Sequence, residues 1–417
     1  MKATEILHPK LPTLKDAIFS LIHLPHKFSI IFRTHVWLLL PLIATQLLQK
    51  CQDLIDDRFI SVLGMEALSV HNIQHSLFLI GHEIGLASAT SALIFWKRKE
   101  ARGKQGSILW LHLLMPVALA SVTAAIVLFF LDDLAKYFRI SAQFTGNARW
   151  YWKLGLLNLI VRTLYIPLNA ILIACNQRVK CTLLAAGVLL SKVAFGWFAI
   201  RVGQSFETNA YSTIIPMLII GSGSIVALAI ASAIAIKWIS RLVDGWEKMD
   251  LKSLFEVWPG ELGIGAISAL SPLIFGFQIA KVNTSPGFFV TYQLALHFTY
   301  IITLPVLAGM QIAVRDASAE QIDSLGISFK PLHESRWWPQ FFYASLIPSC
   351  VLLLITSIFA KPIFFQLYNY PVPKDHLPFL PLFFLSWILW QIGNIFLIML
   401  RASKKNSLAT WNFIVAG

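Results

Sequence analysis

Ionisable residues gather inside apolar stretches of this chain, where each is costly and each is a candidate for function. One stretch ends in Lys50-Cys51-Gln52-Asp53-Leu54-Ile55-Asp56-Asp57-Arg58. Asp53 lies three and four residues before Asp56 and Asp57, a helical spacing that predicts one shared face for the carboxylates. The next stretch carries His71, His75, His82 and Glu83, and two later ones carry Arg162 and Lys192 near mid-depth. Bases at that depth make a cavity attractive to anions. Carboxylates beside them balance the charge or exchange protons, since burial and opposite charge push a carboxyl group's proton affinity in opposite directions.

Plainer readings stand beside these. Asp57 and Arg58 could sit solvated at the outer interface, and Arg162 and Lys192 could snorkel or pair with the aspartates as a structural lock. His71 and His75 have metal-like i, i+4 spacing, but an isolated pair is more often structural, so no metal site is expected. Later stretches offer mainly neutral groups: Ser268, Ser271, Gln278, Tyr292, Gln293, His297 and Gln311, with Glu261 interfacial. The charge chemistry is therefore expected in the first half, with Gln278, Gln293 and Gln311 as polar contacts from the second.

The elements that must position these groups are membrane helices. Of 417 residues, 57% are hydrophobic and 13% charged, against roughly 25% charged in a soluble protein. Runs of about 20 apolar residues recur, with spans expected near 34–60, 70–96, 107–131, 150–175, 181–202, 211–239, 257–281, 287–313, 339–360 and 378–400, and a last from 406. The runs are continuous, which excludes an outer-membrane barrel. The polar residues 1–17 include Pro9 and Pro12, and no secretory signal is expected there. Cys51, Cys175, Cys181 and Cys350 lack metal or disulfide spacing and read as small buried hydrophobes. Pro116, Pro167, Pro216, Pro272, Pro305 and Pro348 in or near spans imply kinks.

A net charge of +13 would suit nucleic acid, but its placement argues for topology. Roughly 22 Lys and Arg fall in loops on the N-terminal side and roughly 9 opposite, which puts the N-terminus in the cytoplasm of a multi-pass plasma membrane protein, a bacterial inner membrane being the expected setting. No nucleic-acid partner is expected.

Residues 1–240 and 250–417 read as two copies of one plan: a long span, an outer turn, a second span and a charged cytoplasmic loop. The stretch 171–187 corresponds to 397–417, each an apolar helix end, a basic turn and a new helix start. The organisation expected is a cytoplasmic segment and pre-helix (1–33), an N-terminal lobe of six spans (34–240), a cytoplasmic linker (241–256) and a C-terminal lobe (257–417) incomplete in this chain. Two such lobes are a common transporter plan, with substrate handled near the midplane.

Gln46-Leu47-Leu48-Gln49, Leu63-Gly64-Met65-Glu66-Ala67-Leu68 and Tyr292-Gln293-Leu294-Ala295-Leu296 resemble recurrent phrases of the superfamily of multidrug and toxic-compound (MATE) exporters and polysaccharide flippases. In that resemblance Asp56 falls at the exporters' first-helix cation-site aspartate. Their fifth-helix Asn and Asp match Ser191 and Phe195 here, with Lys192 beside them, and their acidic residues in helices 7 and 10 match apolar 267–270 and Trp390. The chain also resembles the progressive ankylosis (ANK) family, a branch of the same superfamily. Pro41-Leu42, Thr45, Asp53 and Arg58, the loop residues Lys99, Arg102 and Lys104, and Trp258-Pro259, Pro272 and Leu304-Pro305 carry the likeness. Lys192 stands where that family has an acid and Gln311 where it has Glu.

The resemblance implies an all-α, two-lobed, V-shaped MATE-like secondary transporter, and the ANK likeness implies export of small anionic metabolites such as citrate, with links to ATP and pyrophosphate release. The unpaired bases inside spans point the same way. Lys192, Arg162 and Arg58 would contact substrate carboxylates, and Asp53, Asp56, Asp57 and Glu83 would balance charge or couple ions. No cofactor is expected beyond a coupling H+ or Na+, the partners being a small anionic substrate and the lipid bilayer, and the protein a monomer. Na+- or H+-coupled export of cationic drugs, a lipid-linked sugar flippase and a non-transporting scaffold are the alternatives. No Walker motif, nucleophile elbow or metalloprotease motif marks an enzyme.

Overall fold

Long apolar stretches separated by short turns build a bundle of antiparallel helices. The computed structural model describes residues 28–96, 103–138, 142–206, 211–243, 286–303, 341–368 and 372–389, with isolated positions between them. Among the described residues there is no strand. The helices are α1 (Phe28–Ser61), α2 (Met65–Trp96), α3 (Gln105–Phe129), α4 (Leu131–Tyr137), α5 (Ala142–Ala174), α6 (Arg178–Gln204), α7 (Tyr211–Ser240), α8 (Pro286–Ile302), α9 (Ile347–Tyr368) and α10 (379–389).

Five of them are long and apolar enough to cross a membrane: α3, most of α5 and α7, α6 and α9. At 34 and 32 residues, α1 and α2 extend about 50 Å, more than a bilayer core requires. Their acids, bases and histidines make them less apolar than the rest. The apolar helices make this a multi-pass membrane protein. Leu114, Val122, Leu183, Leu190, Leu354, Ile358 and Leu382 are exposed on the outside of the bundle, where acyl chains replace water as the surrounding medium.

The turns follow their residues. Gly64, at φ 113, closes the α1–α2 connection, and Asn176, at φ 59, makes the left-handed end of α5, with the Gln177 N–H donating to the Leu172 carbonyl. The third span does not run straight into an outer turn. Instead α4 follows it at once, with Asp132 and Asp133 in its first turn, where the helix dipole favours negative charge.

Helices in lipid gain little from hydrophobic association and rely on close approach. Accordingly α2 packs most extensively on α5, with Gly81 and Gly85 opposite Leu159 and Ile166, and Gly196 of α6 lies against Phe59 of α1. One core cluster joins Trp96, Leu109, Tyr165, Leu172 and Leu228 to Val306 and Phe341. A second gathers Ile60, Val70, Tyr151, Trp152 and Met217 with Tyr292 of α8. A third binds Val290, Leu294 and Phe298 of α8 to α9 and α10, with Leu68 of α2. Thus α8 is shared between the first-half helices and its own neighbours.

The prolines act unevenly. Pro116, Pro167 and Pro216 lie inside continuous helices. The backbone leaves helical geometry at Phe359 (φ −104, ψ 22), three residues before Pro362, where the ring clashes with the preceding turn. A π turn, Phe342–Leu346, leads into α9 at Pro348. Pro272 and Pro305 lie outside the described residues, as do Glu261, Ser268 and Ser271.

Candidate functional site

The charges of the first half converge on the C-terminal third of α1. At about 100° per residue the three aspartates span a sector of about 100° on α1, the shared face expected from their spacing, and across that sector each meets a different element. Asp53 turns to α5, where Arg162 Nη2 donates to both carboxylate oxygens at 3.0 Å, with Lys50 Nζ 3.9 Å away on α1 itself. Asp56 turns to α6 and accepts a hydrogen bond from Lys192 Nζ at 2.5 Å. Asp57 turns toward α2 and α8: His71 Nε2 stands 3.3 Å from Oδ1, and His297 Nδ1 donates to Oδ2 at 2.8 Å.

Burial is deep throughout. Asp57 is 0% exposed, Lys192 5%, Asp53 and Asp56 8% each. Arg162 is the most accessible member, with 18% of its side chain exposed. Unpartnered charges at that depth would cost several kcal/mol each, so the bases are not the unpaired groups expected from the sequence. Nor is Asp57 solvated at an interface. Arg58, by contrast, is exposed and makes no ion pair among the described residues. Glu83 is half-buried on α2, within electrostatic reach of Lys50.

Supporting bonds hold the frame. The Trp152 indole N–H donates to the Val70 carbonyl at 3.0 Å, fixing α5 against α2. That places the Tyr151 hydroxyl 2.7 Å from His71 Nδ1. With Nε2 carrying the proton toward Asp57, Nδ1 accepts from Tyr151. Further along α1, Gln52 Nε2 donates to the Ala185 carbonyl at 3.3 Å, and the Thr45 and Thr182 hydroxyls meet at 2.9 Å.

Tyr151 is the participant that sequence reasoning missed, and His71, His75 and His297 were singled out there without a role at the site. His75 packs edge-on against His297, ring centroids 3.9 Å apart. An available signal was that His297 follows Gln293 by one helical turn within an apolar stretch, putting two polar groups on one face of α8. Gln293 is buried, and its Oε1 has no hydrogen-bond partner among the described residues. Gln278 and Gln311 lie outside the described residues. No group of three or more His, Cys, Asp or Glu side chains is placed to hold a metal among the described residues.

The arrangement contains three basic side chains (Lys50, Arg162, Lys192) and three aspartates, all three carboxylates on α1. Movement of α1 relative to α5 and α6 would therefore release Arg162 and Lys192 together.

No family model and no curated protein matches the sequence. Solved structures do resemble the fold. A MOP superfamily transporter from Pyrococcus furiosus, for which a reverse polarity of the binding pocket is described as suggesting a different function, superposes with a TM-score of 0.70 at 14% identity, covering 92% of this chain and 85% of that one. An outward-facing multidrug resistance MATE transporter gives 0.68 at 15% identity over 92% and 85%. A MATE transporter of Vibrio cholerae gives 0.66 at 16% identity over 94% and 88%. With those likenesses spanning nearly the whole chain, the protein has the fold of the MATE transporters of the MOP superfamily.

Proposed function

We propose that this protein is a secondary transporter of small organic anions, polycarboxylates such as citrate being the leading class. It would expose a central cavity alternately to each face of a plasma membrane with its N-terminus in the cytoplasm. The observation that carries the reading is the location of the counter-charges: Arg162 and Lys192 sit on α5 and α6, but their carboxylate partners sit on α1 alone. A substrate carboxylate can replace an aspartate as partner to either base without leaving a cation bare, so binding can be exchanged against a shift of α1. Such exchange avoids the large cost of an unpaired buried charge. The fold tolerates pockets of differing polarity, as the Pyrococcus furiosus protein is described to have one reversed. On this reading Lys192 and Arg162 bind substrate, Asp53 and Asp56 hold the bases between cycles, and Gln293 offers a neutral contact from α8. Export as the direction follows from the ANK likeness.

A second reading is export of cationic drugs coupled to H+ or Na+ through Asp56. It is favoured by the near balance of charge in the cluster and by the multidrug MATE protein among the similar structures. The flippase alternative would want a cationic cavity open to lipid. The test is flux of labelled citrate and malate in proteoliposomes, comparing wild type with Lys192→Met and Arg162→Met. Anion flux lost in either variant while the protein stays folded supports the proposal. Absence of anion flux in wild type, with cationic-dye uptake lost in Asp56→Asn, moves the protein to the multidrug reading.

A further inference from the structure

Among the described residues, ion pairs tie α1 to itself, to α2, to α5 and to α6, and α4 to α5; the pair between His297 and Asp57 is the one that joins a helix after residue 286 to the first half. It also differs in kind. Asp53 and Asp56 are held by Arg and Lys, whereas among the described residues Asp57 is held by imidazoles, the side chain type that can take up a proton near neutral pH.

We infer that Asp57, His297 and His75 form a proton-operated latch between the two halves, the ligand of this site being H+. The inference rests on the transporter reading and names how its halves would be held and released. His297 Nδ1–H donates to Asp57 Oδ2 at 2.8 Å, a bond that a neutral ring or a singly protonated one can make. Its other nitrogen, Nε2, is buried with no hydrogen-bond partner among the described residues, and the His75 ring lies edge-on with centroids 3.9 Å apart. One imidazolium fits beside the Asp57 carboxylate. A first proton on His297 tightens its bond to the Asp57 carboxylate. A second, on His75, sets two like charges against each other across the ring contact, so acid that charges both rings loosens the contact.

The surrounding groups sharpen this. Within electrostatic reach of the cluster are Asp53 from α1, His71 from α2, Tyr151 and Arg162 from α5 and Tyr368 from α9; Asp56 and Lys50 lie next to Asp53, and Lys192 next to Asp56. Arg162 and Lys192 are engaged by Asp53 and Asp56, so neither takes the place of His297 at Asp57.

The latch is read directly as a distance. In protein with Cys51, Cys175, Cys181 and Cys350 replaced, spin labels at Ser205→Cys and Lys374→Cys, both exposed, flank the end of the bundle where the latch lies. Their separation is measured by electron-electron resonance in nanodiscs at pH 8 and pH 5. The expected result is a rise of about tenfold in the ratio of long to short distances on acidification. Asp57→Asn and His297→Gln should show the long distance at both pH values. His75→Gln, which leaves the Asp57 bond intact, should stay short at both and serves if the other variants fail to fold. A pH response unchanged in His75→Gln and His297→Gln overturns the latch. A pH-dependent distance without anion flux leaves the latch standing and removes the anion reading; anion flux without any pH-dependent distance does the reverse.

Discussion

Two sets of buried charges lie side by side on α1 and differ in what holds them. Asp53 and Asp56 are matched by an Arg and a Lys from α5 and α6, within the first half. Asp57, one residue further on, is matched by imidazoles from α2 and α8 and reaches the second half. The first set is disturbed by a competing anion or a moving helix. The second, on the latch proposed above, answers to protons. One helix can thus carry both substrate exchange and coupling, separated by a rotation of about 100° per residue.

The comparison can be broken most severely at Lys192. Lys192→Met leaves Asp56 buried without its cation and should cost about 3–5 kcal/mol in unfolding free energy, read as a fall in thermal stability in detergent. Adding Asp56→Leu should recover most of that loss; equal instability of the single and double variants would show that the pair does not govern the site. Arg162→Met should cost less, about 1–3 kcal/mol, because Lys50 remains 3.9 Å from Asp53. Trp152→Phe removes the bond to the Val70 carbonyl that sets Tyr151 under His71, for about 1 kcal/mol, and should shift the pH response more than the stability.

Two smaller effects lie away from this cluster. Thr291 of α8 meets His376 Nδ1 at 2.9 Å and the Tyr370 hydroxyl at 3.1 Å. Burial pushes the His376 imidazole below its ordinary value near 6.5, with Asp375 pulling the other way. Because the folded protein favours the neutral ring, stability is full above that value and declines as pH falls beneath it. His376→Gln should flatten that decline, by less than about 1 kcal/mol in a pH series of melting temperatures. Least of all, Asp132→Asn breaks the exposed pair with Arg149, both side chains about half exposed, and should change stability by no more than about 0.5 kcal/mol.

Much of this was legible beforehand, for definable reasons. The all-helical membrane fold follows from apolar runs that no water-soluble surface would accept, and the six long helices between residues 28 and 240 agree with the six expected spans of that stretch. Asp53, Asp56, Arg162 and Lys192 stood out because each is a charge where charges are expensive. Which base meets which acid was not legible: the partners lie 109 and 136 residues apart, and only tertiary packing decides the pairing. Asp57 was misread as potentially solvated because a position near a helix end looks interfacial until α2 and α8 are seen to cover it. The histidines were undervalued because a neutral ring in an apolar stretch gives no cost signal. Asp56 against Asp57 shows the limit of face arguments, since neighbours in sequence serve different helices.

The dispersal of α1's partners also bears on how the protein is made. When Asp53 and Asp56 are polymerised, the bases that will neutralise them on α5 and α6 are still 109 and 136 residues from being synthesised. At about 5–20 residues per second that is a wait of roughly 5–30 s. For that interval α1 must keep its acids protonated, or at the aqueous boundary, or in the protected environment of the insertion machinery, and it can settle only when α6 arrives. Biogenesis of the first six long helices is therefore a single deferred event, and Lys192→Met should lower the yield of inserted protein as well as the stability of the protein that is purified.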